Sequence, residues 1–178
     1  MTPFDLTAQL MPVLAIMRAA CGLDDSGGRQ WAQIVLRHAT RAGLVARGAF
    51  ASGRLLGFCY GFPVDNDGRW EQQIRARMTA AGALDWLDGN AFELTELHVH
   101  PDHHGQGLGR RLLMTVLAAT DLPRALLNAR AEDSAARRLY RSLGFTDLTP
   151  PFHFGPGQPA YTVMGATLRA ADRSPDQS

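Results

Sequence analysis

The stretch Glu93–Leu113, ELTELHVHPDHHGQGLGRRLL, constrains this 178-residue chain more than any other. A strand-like run enters a turn holding Gly105, Gly107 and Gly109. It leaves as an amphipathic helix with Leu112, Leu113, Val116 and Leu117 on one face. Glycines let such a turn approach an anion closely, and the dipole of a helix starting at Gly109-Arg110 favours negative charge. His104-Gly105-Gln106-Gly107-Leu108-Gly109 therefore reads as a cradle of backbone N–H groups for a phosphate. The G-x-G-x-G spacing is not the dinucleotide fingerprint, and no Gly-Lys-Ser/Thr follows as in nucleoside-triphosphate loops.

The strand before the turn breaks its own alternation. Phe92 and Leu94 hold one parity, Leu97 and Val99 the other, so one residue too many lies between them. A β-bulge at Thr95-Glu96 restores the pattern. Across it Glu93 and Glu96, three apart, can share one side, whereas a flat strand would turn them to opposite faces. The alternative is two solvated charges on an edge strand. A strand feeding a glycine turn is normally central, which favours the paired reading.

The remaining elements surround this core. Thr7–Ala20 spaces Leu10, Val13, Leu14 and Met17 as a helix, and Pro12 is tolerable in its first turn. Leu23–Gly28 reads as a turn cluster, followed by a second helix with Trp31, Ile34, Val35 and His38. Leu44–Phe50 and Leu55–Phe62 flank Ala51-Ser52-Gly53-Arg54 as a hairpin. Gly57 and Gly61 weaken the second strand or admit another backbone. Pro63–Gly68 is a loop, and Trp70–Leu87 is helical with a break at Gly82. Pro123–Asn128 is a buried strand. Asp133–Leu143 is a helix with Ala136, Leu139, Tyr140 and Leu143 inward, closed by Gly144. Phe145–Leu148 and Tyr161–Leu168 are the last strands, around a Pro/Gly-rich loop from Pro150 to Pro159. The order predicts an α/β fold with one mixed sheet covered by helices.

Bulk properties exclude several function classes. A net charge of +1 gives no electrostatic case for nucleic acid or an acidic membrane surface. All 18 basic residues are arginine, so the chain has no lysine of its own to modify. Cys21 and Cys59 match no metal or redox spacing and are expected as buried, reduced thiols of a cytoplasmic protein. Ala19-Ala20-Cys21 is similar to a lipoprotein cleavage site, but Asp5 precedes it without any cation and Arg18 interrupts the apolar run. His98, His100, His103 and His104 are crowded enough for a transition metal, yet a strand and a turn divide them; no metal is expected.

Two segments carry a family resemblance. ELHVHPDHHGQGLGRRLL resembles the signature of the GCN5-related N-acetyltransferase (GNAT) superfamily, Arg/Gln-x-x-Gly-x-Gly/Ala. Asp133–Phe145, DSAARRLYRSLGF, resembles the second motif, Asn-x-x-Ala-x-x-Leu-Tyr-x-x-x-Gly-Phe. The element order from about Thr7 to Leu168 fits the family fold. His104 stands where the pattern has Arg or Gln, and Asp133 where it has Asn. His104 can still donate a hydrogen bond or a charge to pyrophosphate, with Arg110 and Arg111 beside it. Asp133 would repel phosphate, so a role there belongs to the pantetheine arm.

The resemblance implies a GNAT-like sheet of about six to seven strands, with helices on both faces and a splayed central pair. It implies one domain over residues 1–169, with 63–90 shaping the acceptor pocket and 170–178 a disordered tail. It implies acetyl transfer from acetyl-CoA to a primary amine of a small molecule or peptide, by direct attack in a ternary complex. Main-chain groups of Leu97, His98 and Val99 would bind the pantetheine amides and polarise the thioester. Glu93 or Glu96 would be the base and Tyr140 the acid for the departing thiolate. Alternatives are a silent acyl-CoA-binding module and a protein acetyltransferase. Dimers are common in the family, so a homodimer is a further expectation.

Overall fold

The computed structural model describes residues 1–65 and 69–168. The expected tail at 170–178 and the end of the Pro63–Gly68 loop lie outside the described residues. In chain order the elements are β1 (Thr2–Pro3), α1 (Leu10–Cys21), α2 (Asp25–Ala39), β2 (Val45–Ala51), β3 (Arg54–Pro63), α3 (Arg69–Ala80), β4 (Ala91–Val99), α4 (Leu108–Leu117), β5 (Arg124–Arg130), α5 (Ala135–Ser142), β6 (Thr146–Asp147), β7 (Phe152–His153) and β8 (Ala160–Thr167). This is a mixed α/β fold with a mostly antiparallel open sheet. Eight strands are present among the described residues. β1 and β7, two residues each, are too short to leave a periodic signal in the sequence.

Contacts divide the chain into two compact units, Met1–Pro63 with Leu94–Thr120, and Val64–Glu93 with Asp121 onward. In the first, β1, β2 and β3 form an antiparallel run, with Val45 opposite Gly61 and Thr2 opposite Gly48. The β2–β3 hairpin turns where expected, with φ of +48° at Ser52 and +76° at Gly53. Phe58, Tyr60 and Phe62 alternate along β3 and pack with Val13, Leu14, Ile16 and Met17 of α1 and Val35 of α2. Full burial of each such side chain is worth roughly 1.5–3 kcal/mol. α4 packs on β2 and β3 and buries Leu112, Leu113 and Val116.

α2 begins earlier than the sequence reading, at Asp25 rather than beyond Gly28. The Asp24 carboxylate accepts from the Gly27 N–H at 2.7 Å, and this cap offsets the poor helix propensity of Gly27-Gly28.

In the second unit, the start of β4 pairs in parallel with β5 from Ala91–Arg124 to Glu93–Leu126. β5 then pairs along its whole length with β8, from Arg124–Thr167 to Arg130–Tyr161, and β6 and β7 flank β8. Ile74, Met78, Leu87, Ala91, Leu126 and Val163 form its core, with Trp70 and Trp86 packed against it. The two tryptophans are packing residues here. No helix among the described residues is long and apolar enough to cross a membrane.

Candidate active site

The glycine turn forms as its sequence suggests. After β4, a single 3₁₀ turn, Pro101–His103, leads to His104 in extended conformation. Gly105 and Gly107 follow at φ of +74° and +73°, values that an L side chain rarely adopts. α4 starts at Leu108, one residue earlier than expected, and its N-cap Gly107 supplies no side-chain cap. The N–H of Arg111 is bonded to the Gly107 carbonyl at 3.1 Å. The N–H groups of Leu108 and Gly109 precede the first intrahelical acceptor, as at every helix start. Leu108 is buried and anchors the helix end, while Gly105, Gln106, Arg110 and Arg111 are exposed. The result is an uncapped, cation-flanked helix N-terminus suited to an anion.

His104 has work of its own. Its Nε2–H donates to the Val99 carbonyl at 2.9 Å, tying the turn back to the strand end. The carbonyl can only accept, so Nε2 carries the proton and Nδ1 is the ring atom left for a ligand.

The end of β4 is held close to β3. The His100 N–H donates to Leu56 O at 2.8 Å. A Cβ at Gly57 would stand 2.9 Å from His98 O and 3.1 Å from Val99 Cγ2, so only glycine permits this approach. Leu97, His98 and Val99 are half-buried. Glu96 and His98, two apart, share one face, and His98 Nε2 donates to Glu96 Oε2 at 2.6 Å. Burial opposes charge on His98, but hydrogen bonds to Cys21 and Glu96 and the Glu96 charge outweigh it. Together they push its pKa up to about 10. The ring lies 5.5 Å from that of Phe58.

One cysteine expectation fails here. Cys59 is buried, but Cys21 is exposed at the end of α1 with Sγ 3.8 Å from His98 Nδ1. Nothing in the Cys21–Cys59 spacing signals this, because the partner is 77 residues away.

The remaining candidates belong to the second unit. Glu93 is buried near the start of β4. Tyr140 is buried in α5, two residues before the helix end. The Phe145 N–H donates to Tyr140 O at 3.1 Å, and Gly144, at φ +87°, donates to Arg141 O. This is a Schellman closure, completed by the Tyr140 and Phe145 rings at 6.0 Å. Asp133 lies outside α5, whose N-cap is Ser134. Its carboxylate accepts from Arg138 at 2.6 Å and is exposed. Ala136, expected inward, is exposed; Arg137 is buried instead, its guanidinium on Asp147 and against Met164 Sδ. The arginine stem can fill an apolar face while its head finds a carboxylate, which a hydrophobicity pattern cannot register.

Sequence reasoning passed over Asn128. It sits in β5 opposite Val163, and its buried Oδ1 accepts no hydrogen bond among the described residues. A lone amide directly after the apolar run Ala125–Leu127 was the available signal. A buried acceptor without a donor is costly, unless a bound N–H supplies one. Among the described residues no group of three or more His, Cys, Asp or Glu is arranged to hold a metal ion.

Known proteins place this architecture. The chain is 33% identical over 168 residues to a GCN5-like protein acetyltransferase of Mycobacterium tuberculosis, covering 85% of this chain and 82% of that protein. The ribosomal-protein-S18-alanine N-acetyltransferase of Escherichia coli superposes with a TM-score of 0.65 at 19% identity over 97% of both chains. The PaiA N-acetyltransferase of Thermoplasma acidophilum, solved in complex with coenzyme A, gives 0.61 at 15% identity over 94% of this chain and 98% of that one. At those identities the two structures speak for the fold alone. The model of the acetyltransferase (GNAT) family matches residues 14–145, most of the chain, and with the relative from Mycobacterium it shows that this protein belongs to that family.

Proposed function

We propose that the protein is an N-acetyltransferase moving an acetyl group from acetyl-CoA to a primary amine of a small molecule or peptide, by direct attack in a ternary complex. The observation that carries this reading is the uncapped α4 N-terminus behind two left-handed glycines. It suits the pyrophosphate of the donor, held by N–H groups from Gly105, Gln106, Gly107, Leu108 and Gly109 with Arg110 beside them, while His104 ties the turn to Val99. The donor brings the activated thioester; the chain supplies position and proton handling. Main-chain groups of Leu97, His98 and Val99 bind the pantetheine arm, and the orphaned Asn128 Oδ1 accepts one of its amide protons. Asp133, already paired with Arg138, is left a marginal part.

An ammonium of pKa about 10 must lose a proton before it can attack, and an ordinary carboxylate at about 4.3 is a weak direct base. Glu93 or Glu96 therefore acts through water, or draws the cationic acceptor in. Glu96 already accepts from His98. Tyr140 donates to the departing thiolate. Full proton transfer from a phenol near 10 to a thiolate near 8.5 is uphill by roughly 2 kcal/mol, so hydrogen-bond stabilisation is the larger part.

Release of free thiol from acetyl-CoA across a panel of polyamines, aminoglycosides, amino acids and peptides tests this. Tight coenzyme A binding without turnover on any amine would overturn it in favour of a silent binding module. The relative from Mycobacterium is named a protein acetyltransferase, which favours polypeptide amines as a second reading. Turnover confined to folded protein substrates would establish that one.

A further inference from the structure

Cys21, His98 and Glu96 stand in the order nucleophile, imidazole, carboxylate. Sγ of Cys21 is 3.8 Å from His98 Nδ1, and His98 Nε2 donates to Glu96 Oε2 at 2.6 Å. Each ring nitrogen therefore has one partner, the thiol on one side and the carboxylate on the other. The side chains of His98 and Glu96 are only 16% and 12% exposed, whereas Cys21 is open to solvent. All three belong to the same compact unit.

A carboxylate on the far nitrogen fixes the ring orientation and stabilises the imidazolium, and an imidazolium facing a sulfur stabilises the thiolate. Arg18, one turn earlier on α1, is paired with Asp25 at 2.9 Å, and the carbonyl end of α1 works against the thiolate. Cys59 has the opposite setting, since complete burial pushes its thiol up, with the Glu96 charge adding to it. The chain thus holds one thiol with a proton relay and one that is inert.

We propose that Cys21 is a covalent acyl-acceptor site that takes an acyl group from an activated ester or thioester. The Cys21 Sγ–acyl carbon bond forms, and the bond from that carbon to the donor's sulfur or oxygen breaks. The leaving atom departs with the electron pair. The attacking sulfur is the thiolate of a thiolate–imidazolium pair, and the proton that His98 Nδ1 holds passes to the leaving atom. Water or an amine then cleaves the S-acyl bond and restores the thiol. This site shares Glu96 with the direct transfer proposed above but needs neither the glycine turn nor Tyr140.

The test is acylation of the intact protein by p-nitrophenyl acetate, read as nitrophenolate release and by peptide mass mapping. With no lysine in the chain, acetyl can rest only on thiols, hydroxyls, imidazoles or the N-terminal amine. The expected result is a burst stoichiometric with protein and a hydroxylamine-labile acetyl on Cys21. Cys21→Ser abolishes the burst and Cys59→Ser keeps it. His98→Gln slows it by about a hundredfold, the usual scale of positioned acid–base help. Acetyl scattered over hydroxyls or on Cys59 would overturn the proposal. So would native Cys21 reacting no faster than the same cysteine in the urea-unfolded chain, a comparison that needs no variant.

Discussion

His98 and His38 sit in one unit and are pushed in opposite directions. His38 is part-buried with Nδ1 3.0 Å from the Tyr60 hydroxyl. Burial first, then the Arg37 and Arg41 charges, lower its pKa to about 4. Its contribution to stability is present above the ordinary value of 6.5 and is lost as pH falls through about 4. His98 is raised, so its contribution is present below 6.5 and is lost as pH rises through about 10. Denaturant unfolding across this range should give a stability dome. Glu96→Gln should flatten the alkaline limb and His38→Phe the acid limb; limbs that both variants leave unaltered would refute the assignment. Tyr140 offers a separate check. Its Schellman closure is built from backbone groups, so Tyr140→Phe keeps the fold. We expect kcat to fall about ten- to a hundredfold, the scale of a hydrogen bond to a charged group, with the KM for acetyl-CoA unchanged. Undiminished kcat in the acetyl-transfer assay would remove Tyr140 from the mechanism.

Elements show where local sequence suffices. The glycine turn and α4 follow from Gly105, Gly107 and the 3.6-residue period of the helix, and they form within one residue of the expected start. A Cβ added at Gly107 would meet open space, so replacing this glycine carries a conformational cost and no clash. Gly107→Ala should lower stability by about 1 kcal/mol, a few degrees in Tm, and weaken coenzyme A binding by much more. Calorimetric binding with affinity unchanged would mean that the turn does not hold the donor. The face of α5 is less legible. Its period is present, but Arg137 rather than Ala136 turns inward, because Asp147 and Met164 await it from elsewhere in the chain. The start of α2 was hidden for the opposite reason, since two glycines mask a helix that a capping aspartate stabilises.

At the scale of the whole molecule the charge balance is the most direct statement. With a net charge of +1 and every cation an arginine, the protein should pass through a duplex DNA matrix at physiological ionic strength. Salt-dependent retention there would contradict the charge argument. The family membership likewise rests on most of the chain rather than on one motif, since the match runs from residue 14 to 145.

The sequence by itself determined the order of the longer elements, the glycine turn, the helix end at Gly144 and the family. These depend on period, backbone conformation and fixed short spacing, all carried by neighbouring residues. Tertiary structure alone decided which polar groups meet. It set Glu96 on His98 and His98 on Cys21, tied His104 to Val99, drew Asp133 to Arg138 and left Asn128 Oδ1 without a donor. Most of these contacts join side chains, or a side chain and a strand end, whose meeting depends on how elements pack and not on spacing along the chain. For the stretch from Glu93 to Leu113, the turn was legible in its glycines, while the chemistry of the strand before it became visible only once α1 had brought a thiol to its face.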